Sequence, residues 1–278
     1  MASDNISTYL RSSYRRRHNY TVRFFGRSLD VAVTNNSRTV KSWINRTLCM
    51  HSHRLNFHRG QNFVAGLGVQ WCSFQSNTRP ATIQISIGHR VLIFQIFQSS
   101  SIPAALSCLL SDSCITFVGY NIAYDCRLLR SSHDLVVSSS AELRSVSGMG
   151  NASMEQMVEE ILGYPGVTKP WWIANSDWEA PHLSIDQVQY GALDAFVSFE
   201  LGLKLVAGPA LPNRESGFSE GFELDVVSDS GSGLRYSEAD GSYSDSGRGF
   251  QYSSGPRYSE EYGSDFYSGD SCSMEDAW

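Results

Sequence analysis

The 278-residue sequence predicts an α/β domain, a mixed sheet flanked by helices, followed by a disordered acidic C-terminal tail. Three observations predict it. Strand-like alternation and β-branched runs dominate up to Phe97; helix and strand patterns alternate after Pro103; and beyond Pro212 the composition turns abruptly to Ser, Gly, Asp, Glu and Tyr.

The residues up to Asn19 read as a flexible basic N-terminus, 1–19, in which Arg15, Arg16 and Arg17 are either a nuclear import patch or a solvated, frayed terminus. Tyr20, Val22 and Phe24 alternate, Gly26, Arg27 and Ser28 supply a turn, and Leu29, Val31 and Val33 alternate again, which is a β-hairpin pattern. Asn36 or Ser37 is placed to cap a helix through Val40, Trp43, Ile44 and Leu48. The stretch with Cys49, His51, His53 and His58 lacks acids or further thiols at ligand spacing and reads as a polar loop.

Strand-like runs follow at 63–71, 81–87 and 91–97, with Gly88 and His89 turning between the last two. Pro103 starts a helix through Leu106, Leu109 and Leu110, and Ile115 to Val118 is a short strand ending at Gly119. Next come a helix at 122–130 with Leu128 and Leu129 inward, a strand at 134–137 and a helix at 154–162. The last helix is announced by a capping box, Ser184 with Gln187, and by an apolar stripe of Val188, Ala192, Ala195, Phe196, Phe199 and Leu203 that runs to about Val206.

The domain is therefore expected over 20–208 and the tail over 209–278. The tail contains an imperfect duplication beginning at Arg235 and Arg257, a composition that suits either weak self-association or a solubilising extension. Charge is divided unevenly: residues 1–212 hold 18 Lys+Arg against 14 Asp+Glu, and residues 213–278 hold 4 against 14. A mildly basic body permits contact with a phosphate backbone without demanding it. No apolar run approaches the roughly 18 residues of a membrane helix, and residues 1–20 lack a secretory apolar stretch. The expected location is the nucleus and/or the cytoplasm, with no membrane partner. Six cysteines without a Cys-x-x-Cys pair argue against a zinc ribbon, a thioredoxin-like motif or a disulfide framework.

Chemistry concentrates late in the chain. Asp125 falls in the first turn of the helix after Gly119, at the carboxyl end of a strand, where open α/β sheets place their sites. Tyr190 and Asp194 are four apart on the last helix and share a face. Carboxylates converging with a phenol suit two-metal phosphodiester hydrolysis, in which hard divalent ions activate water and stabilise the leaving oxygen.

These residues carry a resemblance. Phe117 to Leu129, Lys169 with Ser176 to Trp178, Leu183 to Leu201 and the strand 80–86 follow, in order, the motifs of the Werner syndrome-like 3'-5' exonucleases, the DEDDy group with a ribonuclease H-like fold. The similarity covers about residues 20–206. It implies a ribonuclease H-like mixed sheet, Mg or Mn as cofactor, Asp125 and Asp194 as metal-cluster carboxylates, and Tyr190 orienting the attacking water. The family's first motif reads aspartate, any residue, glutamate; here Gly68 and Gln70 stand in those places, with flanking Gly66, Leu67, Val69 and Trp71 in register. Glycine offers no ligand and glutamine only a neutral carbonyl. Metal binding is therefore expected to be vestigial, and hydrolysis impaired, because the preorganised charge that drives such catalysis is gone. Glu142, Glu155, Glu159, Glu160 and Asp186 lie on other elements with no spacing that aims them at the strand.

Three functions stay open on this reading. The first is a nucleic-acid-binding member that holds a single strand or 3' end, with Trp71, Arg127 and Lys169 stacking on bases and touching phosphate. The second is a working metal-dependent 3'-5' exonuclease. The third is a non-catalytic scaffold whose tail recruits protein partners.

Overall fold

A computed structural model describes residues 5–51, 63–72 and 79–206. Among these residues one eight-stranded sheet runs in the order β1-β2-β3-β6-β5-β4-β7-β8. Its centre is an antiparallel meander of β4 (Phe63–Trp71), β5 (Pro80–Ile87) and β6 (Arg90–Phe94). β7 (Ile115–Gly119) lies parallel to β4, and β8 (Ser140–Glu142) parallel to β7. On the other side β3 (Arg27–Thr34) runs parallel to β6 and attaches a second meander with β2 (Arg17–Phe24) and β1 (Ile6–Tyr14).

Seven helices surround this sheet among the described residues: α1 (Ser37–Met50), α2 (Ala104–Ser111), α3 (Ile122–His133), α4 (Leu143–Val146), α5 (Met154–Met157), α6 (Trp171–Ala174) and α7 (Ile185–Leu205). A π-helical turn, Val158–Leu162, continues α5. The sheet is covered on both faces. On one face Val64, Ile93 and Val118 of the sheet pack with Phe196 of α7 and the fully buried Trp178; on the other Leu67 and Ile85 pack with Trp43 of α1, Leu106 of α2 and Leu129 of α3. Burial on both faces explains why β4, β5 and β7 are near-continuous apolar runs. The mixed α/β sheet expected from the sequence is the fold found. Among the described residues no helix is long and apolar enough to cross a membrane.

Four local expectations need correction. Residues 6–14 form β1, paired with β2 from Ile6 opposite Phe24 to Tyr14 opposite Arg17, where the sequence suggested a flexible N-terminus. Its side chains are mostly exposed, so the backbone ladder orders it and no apolar alternation marks it. The strand expected at 134–137 is a loop: Asp134 ends α3 with a left-handed φ of 53°, and pairing to β7 begins only at Ser140. Leu135 is nonetheless buried, so the apolar signal there reported burial without a ladder. The third run stops at Phe94, and Leu128 is half-buried where Leu129 is the inward residue. Asn36 is the helix cap, its side chain accepting from the Arg38 and Thr39 N–H groups, and the Ser184/Gln187 capping box is reciprocal. His53, His58 and the tail from 209 onward lie outside the described residues.

Candidate functional site

β4 and α7 meet more closely than side chains usually allow. A Cβ at Gly66 would lie 1.9 Å from the Ala195 carbonyl oxygen, so only glycine permits this seat. The contact brings Asp194 down onto the strand over Gly68 and Gln70. Gln70, 9% exposed, donates from Nε2 to Asp194 Oδ2 at 3.0 Å. Lys169 Nζ donates to the other oxygen, Oδ1, at 2.7 Å. A Cβ at Gly68 would come within 2.8 Å of Asp194 Oδ2 and 3.1 Å of Gln84 Oε1, so Asp194 and Gln84 have closed over the place where a side chain would stand.

Lys169 reaches Asp194 from the loop before α6, where its backbone N–H is held by Glu155 Oε1 at 3.1 Å. Its ammonium also lies 5.0 Å from the Tyr190 ring centroid. Burial works to remove the lysine proton, but Asp194 and then Tyr190 outweigh it, and Lys169 is held above the ordinary lysine range. Burial likewise raises the Tyr190 phenol against the opposing pull of Lys169, so Tyr190 stays neutral. Asp125, 5% exposed, is pushed well above the usual carboxylate range, first by burial and then by Asp194; Lys169 and a backbone hydrogen bond from Val69 oppose the shift.

Asp125, Tyr190, Asp194, Gly68 and Gln70 thus come together, as the sequence suggested. Lys169 joins them as the partner of Asp194, a correction to its expected role at phosphate. Trp71 and Arg127 lie elsewhere: strand alternation turns Trp71 to the sheet face opposite Gln70, where its ring stands 5.2 Å from Tyr124. Arg127 lies over the same tyrosine at 5.6 Å from its centroid. The sequence reading missed Tyr124, although its spacing of three from Arg127 on one helix puts the two side chains together. It also missed Trp172, 62% exposed, which lines a cleft of about 250 Å³ with Glu155, Lys169, Asp186, Tyr190 and Asp194.

The acids available to replace the missing pair are placed elsewhere. Glu142 accepts from the Asn121 and Ile122 N–H groups at 3.1 and 3.0 Å, satisfying the start of α3. Glu155 holds Lys169, Asp186 lies in the first turn of α7, and Glu159 and Glu160 are exposed. Among the described residues no three His, Cys, Asp or Glu side chains gather as a metal site. The buried oxygen here without a partner, Gln84 Oε1, is a neutral amide.

Residues 71–207 match the 3'-5' exonuclease family, and the match begins immediately after Gly68 and Gln70. Mouse exonuclease 3'-5' domain-containing protein 2 is 28% identical over 159 residues, 52% of this chain and 24% of that protein. An Arabidopsis thaliana 3'-5' exonuclease is 30% identical over 161 residues, 53% of this chain and 54% of that protein. The matched segment therefore spans about a quarter of the first relative and about half of the second. The crystal structure of Escherichia coli RNase D, an exoribonuclease involved in structured RNA processing, shares the fold: TM-score 0.51, 16% identity, 62% of this chain and 43% of that chain.

Proposed function

Because the chain is a 3'-5' exonuclease family member, we propose that it is a nucleic-acid-binding protein that holds a single strand or 3' end without hydrolysing it. One observation carries this reading: both carboxylate oxygens of Asp194 are already engaged, one by the Lys169 ammonium at 2.7 Å and the other by the Gln70 amide at 3.0 Å.

The pair of divalent ions used in the family does not fit these residues. Such ions need a cluster of charged oxygen ligands. Here Asp125 is driven toward its neutral form, Asp194 is neutralised by a lysine, Gln70 presents its NH₂ to Asp194, and Asp194 and Gln84 crowd the space beside Gly68. A fixed ammonium in the midst of the acids also repels an incoming cation. No hydrolytic step is derived through a metal.

Strand binding draws support from the partly exposed Trp71 with Tyr124 and Arg127. Aromatic faces and a guanidinium at one edge suit stacked bases and a phosphate, largely without regard to sequence.

The test is a 3'-labelled and a 5'-labelled oligonucleotide incubated with the full chain in magnesium or manganese, with binding followed by fluorescence anisotropy. Binding that survives EDTA, with the oligonucleotide intact, is the expected result. A ladder shortening from the 3' end, abolished by Asp194→Asn, overturns the reading in favour of a working exonuclease. Absence of binding in every buffer points to the scaffold.

A further inference from the structure

The positive charge of the domain is not at the Asp194 site. Residues 1–51 carry nine Lys+Arg against two acids, whereas residues 52–212 carry nine against twelve, so the basic character of the body resides in β1, β2, β3 and α1. Of the two acids, Asp30 is the described one, and it is shared by Arg11 and Arg90. Arg27 is paired with Glu200. Arg15, Arg16, Arg17, Arg23, Arg38, Lys41 and Arg46 have no carboxylate partner among the described residues.

Strand register sets which way these side chains point. Tyr20, Val22 and Phe24 of β2 are buried under α7, so Arg17 and Arg23 face the other side, the side that carries α1. Tyr14 is directly opposite Arg17, and Tyr9 opposite Thr21, so both tyrosines share that face, 70% and 44% exposed. Arg23 lies 5.8 Å from the Tyr9 centroid and Arg15 5.4 Å from that of Tyr14. On α1, Arg38, Lys41 and Arg46 line one open hollow. Arg90 joins the two groups: it donates to Thr47 of α1 at 2.9 Å and pairs with Asp30 of β3 at 3.3 Å, and Asp30 in turn pairs with Arg11 of β1.

We propose that this face, built from β1, β2 and α1, is a second nucleic-acid surface, which takes the phosphate backbone of a single strand and stacks its bases on Tyr9 and Tyr14. The proposal rests on the reading that the chain binds nucleic acid, and it moves most of the affinity away from the Asp194 groove. Exposed arginines alternating with exposed tyrosines are what a sequence-tolerant single-strand surface requires. Geometry connects it to the first site. β3 is parallel to β6 and hence to β4, so the turn at Arg15 and Arg16 sits at the same end of the sheet as Trp71. Arg17 and Trp71 face the same side four strand spacings apart, about 19 Å at about 4.8 Å per spacing. A strand of several nucleotides lying across the sheet end reaches both.

The experiment uses the full chain and an oligothymidylate of about 20 nucleotides, longer than the roughly 4–16 that one small domain covers. Affinity is measured across a salt series for wild type, for the triple variant Arg17→Glu, Arg23→Glu, Arg46→Glu, for the same positions changed to Lys, for Tyr9→Ala with Tyr14→Ala, and for Trp71→Ala with Arg127→Glu. The expected result is an affinity loss of about tenfold or more in the Glu variant and a salt slope reduced by about 2, since each single-strand phosphate contact contributes about 0.7. The Lys variant keeps its affinity, and the tyrosine variant loses several-fold. Apart from the half-buried Trp71 all changed residues are exposed, and unchanged thermal midpoints confirm intact folding. If the Glu variant binds like wild type while the Trp71 and Arg127 variant loses affinity, this proposal fails and the proposed function stands. Wild type that binds no oligonucleotide defeats both, and tighter binding of a duplex of equal length defeats the single-strand assignment.

Discussion

Lys169 Nζ stands 2.7 Å from Asp194 Oδ1, and the two side chains are only 14% and 11% exposed. A lysine thus meets the carboxylate that the family resemblance assigns to metal ions. Removing one partner of a largely buried pair leaves the other charged and dry, which costs about 3–5 kcal/mol when burial is complete and somewhat less here. Lys169→Met is expected to lower the urea midpoint substantially, and adding Asp194→Asn is expected to recover part of the loss. A single variant as stable as wild type would show that the pair contributes nothing.

Restoring the missing acids is expected to harm the protein before it helps. In Gly68→Asp with Gln70→Glu, the new Cβ at position 68 meets Asp194 Oδ2 at 2.8 Å, and two carboxylates join buried Asp125 and Asp194. The thermal midpoint in EDTA should fall below wild type and rise again with manganese, whereas the wild-type midpoint is unmoved by the metal. A wild-type midpoint that climbs with manganese contradicts the reading that its residues do not fit the ions.

Asp125 predicts a pH dependence. Its pKa is raised in the folded state, so the folded chain binds this proton more tightly than the unfolded chain. The resulting stability is fully present below the unfolded value, about 3.9, and is lost as pH rises through the raised folded value. Asp125→Asn keeps an acceptor for the Val69 backbone hydrogen bond and removes the ionisation. The variant should be more stable than wild type near neutral pH, with the advantage shrinking toward about pH 4. Denaturation midpoints across that range check it, and an advantage that does not vary with pH counts against it.

Trp71→Ala should weaken single-strand binding by about 1–3 kcal/mol, the usual worth of one stacked base. Trp71→Phe should retain most of the affinity, which separates stacking from simple loss of packing against the core under α3.

The tail enters through charge alone. Residues 213–278 hold 4 Lys+Arg against 14 Asp+Glu and are tethered to a domain whose first 51 residues are strongly basic. A tethered polyanion competes with nucleic acid at high effective concentration. Deleting 213–278 should tighten oligonucleotide binding at low salt, and the difference should vanish as salt is raised. Equal affinity of the two proteins at low salt refutes this.

Much was legible in the amino-acid order because the signals are local. The capping box at Ser184, the stripe of α7, the spacing of Tyr190 and Asp194, and the place of Asp125 in the first turn after β7 are short-range patterns that a helix or strand period exposes. So is the absence of acids at Gly68 and Gln70. What only the tertiary structure decided is long-range. Gly66 let α7 settle against β4; Asp194 then filled the space at Gly68 and took the Gln70 amide, and Lys169 arrived from a loop 25 residues earlier to neutralise it. β1 joined the sheet through its backbone ladder, which no side-chain alternation announces, and so gathered scattered arginines onto one face. Periodicity records which face of an element is buried, but the fold decides which charges meet, because an ion pair depends on separation in space and has no period along the chain.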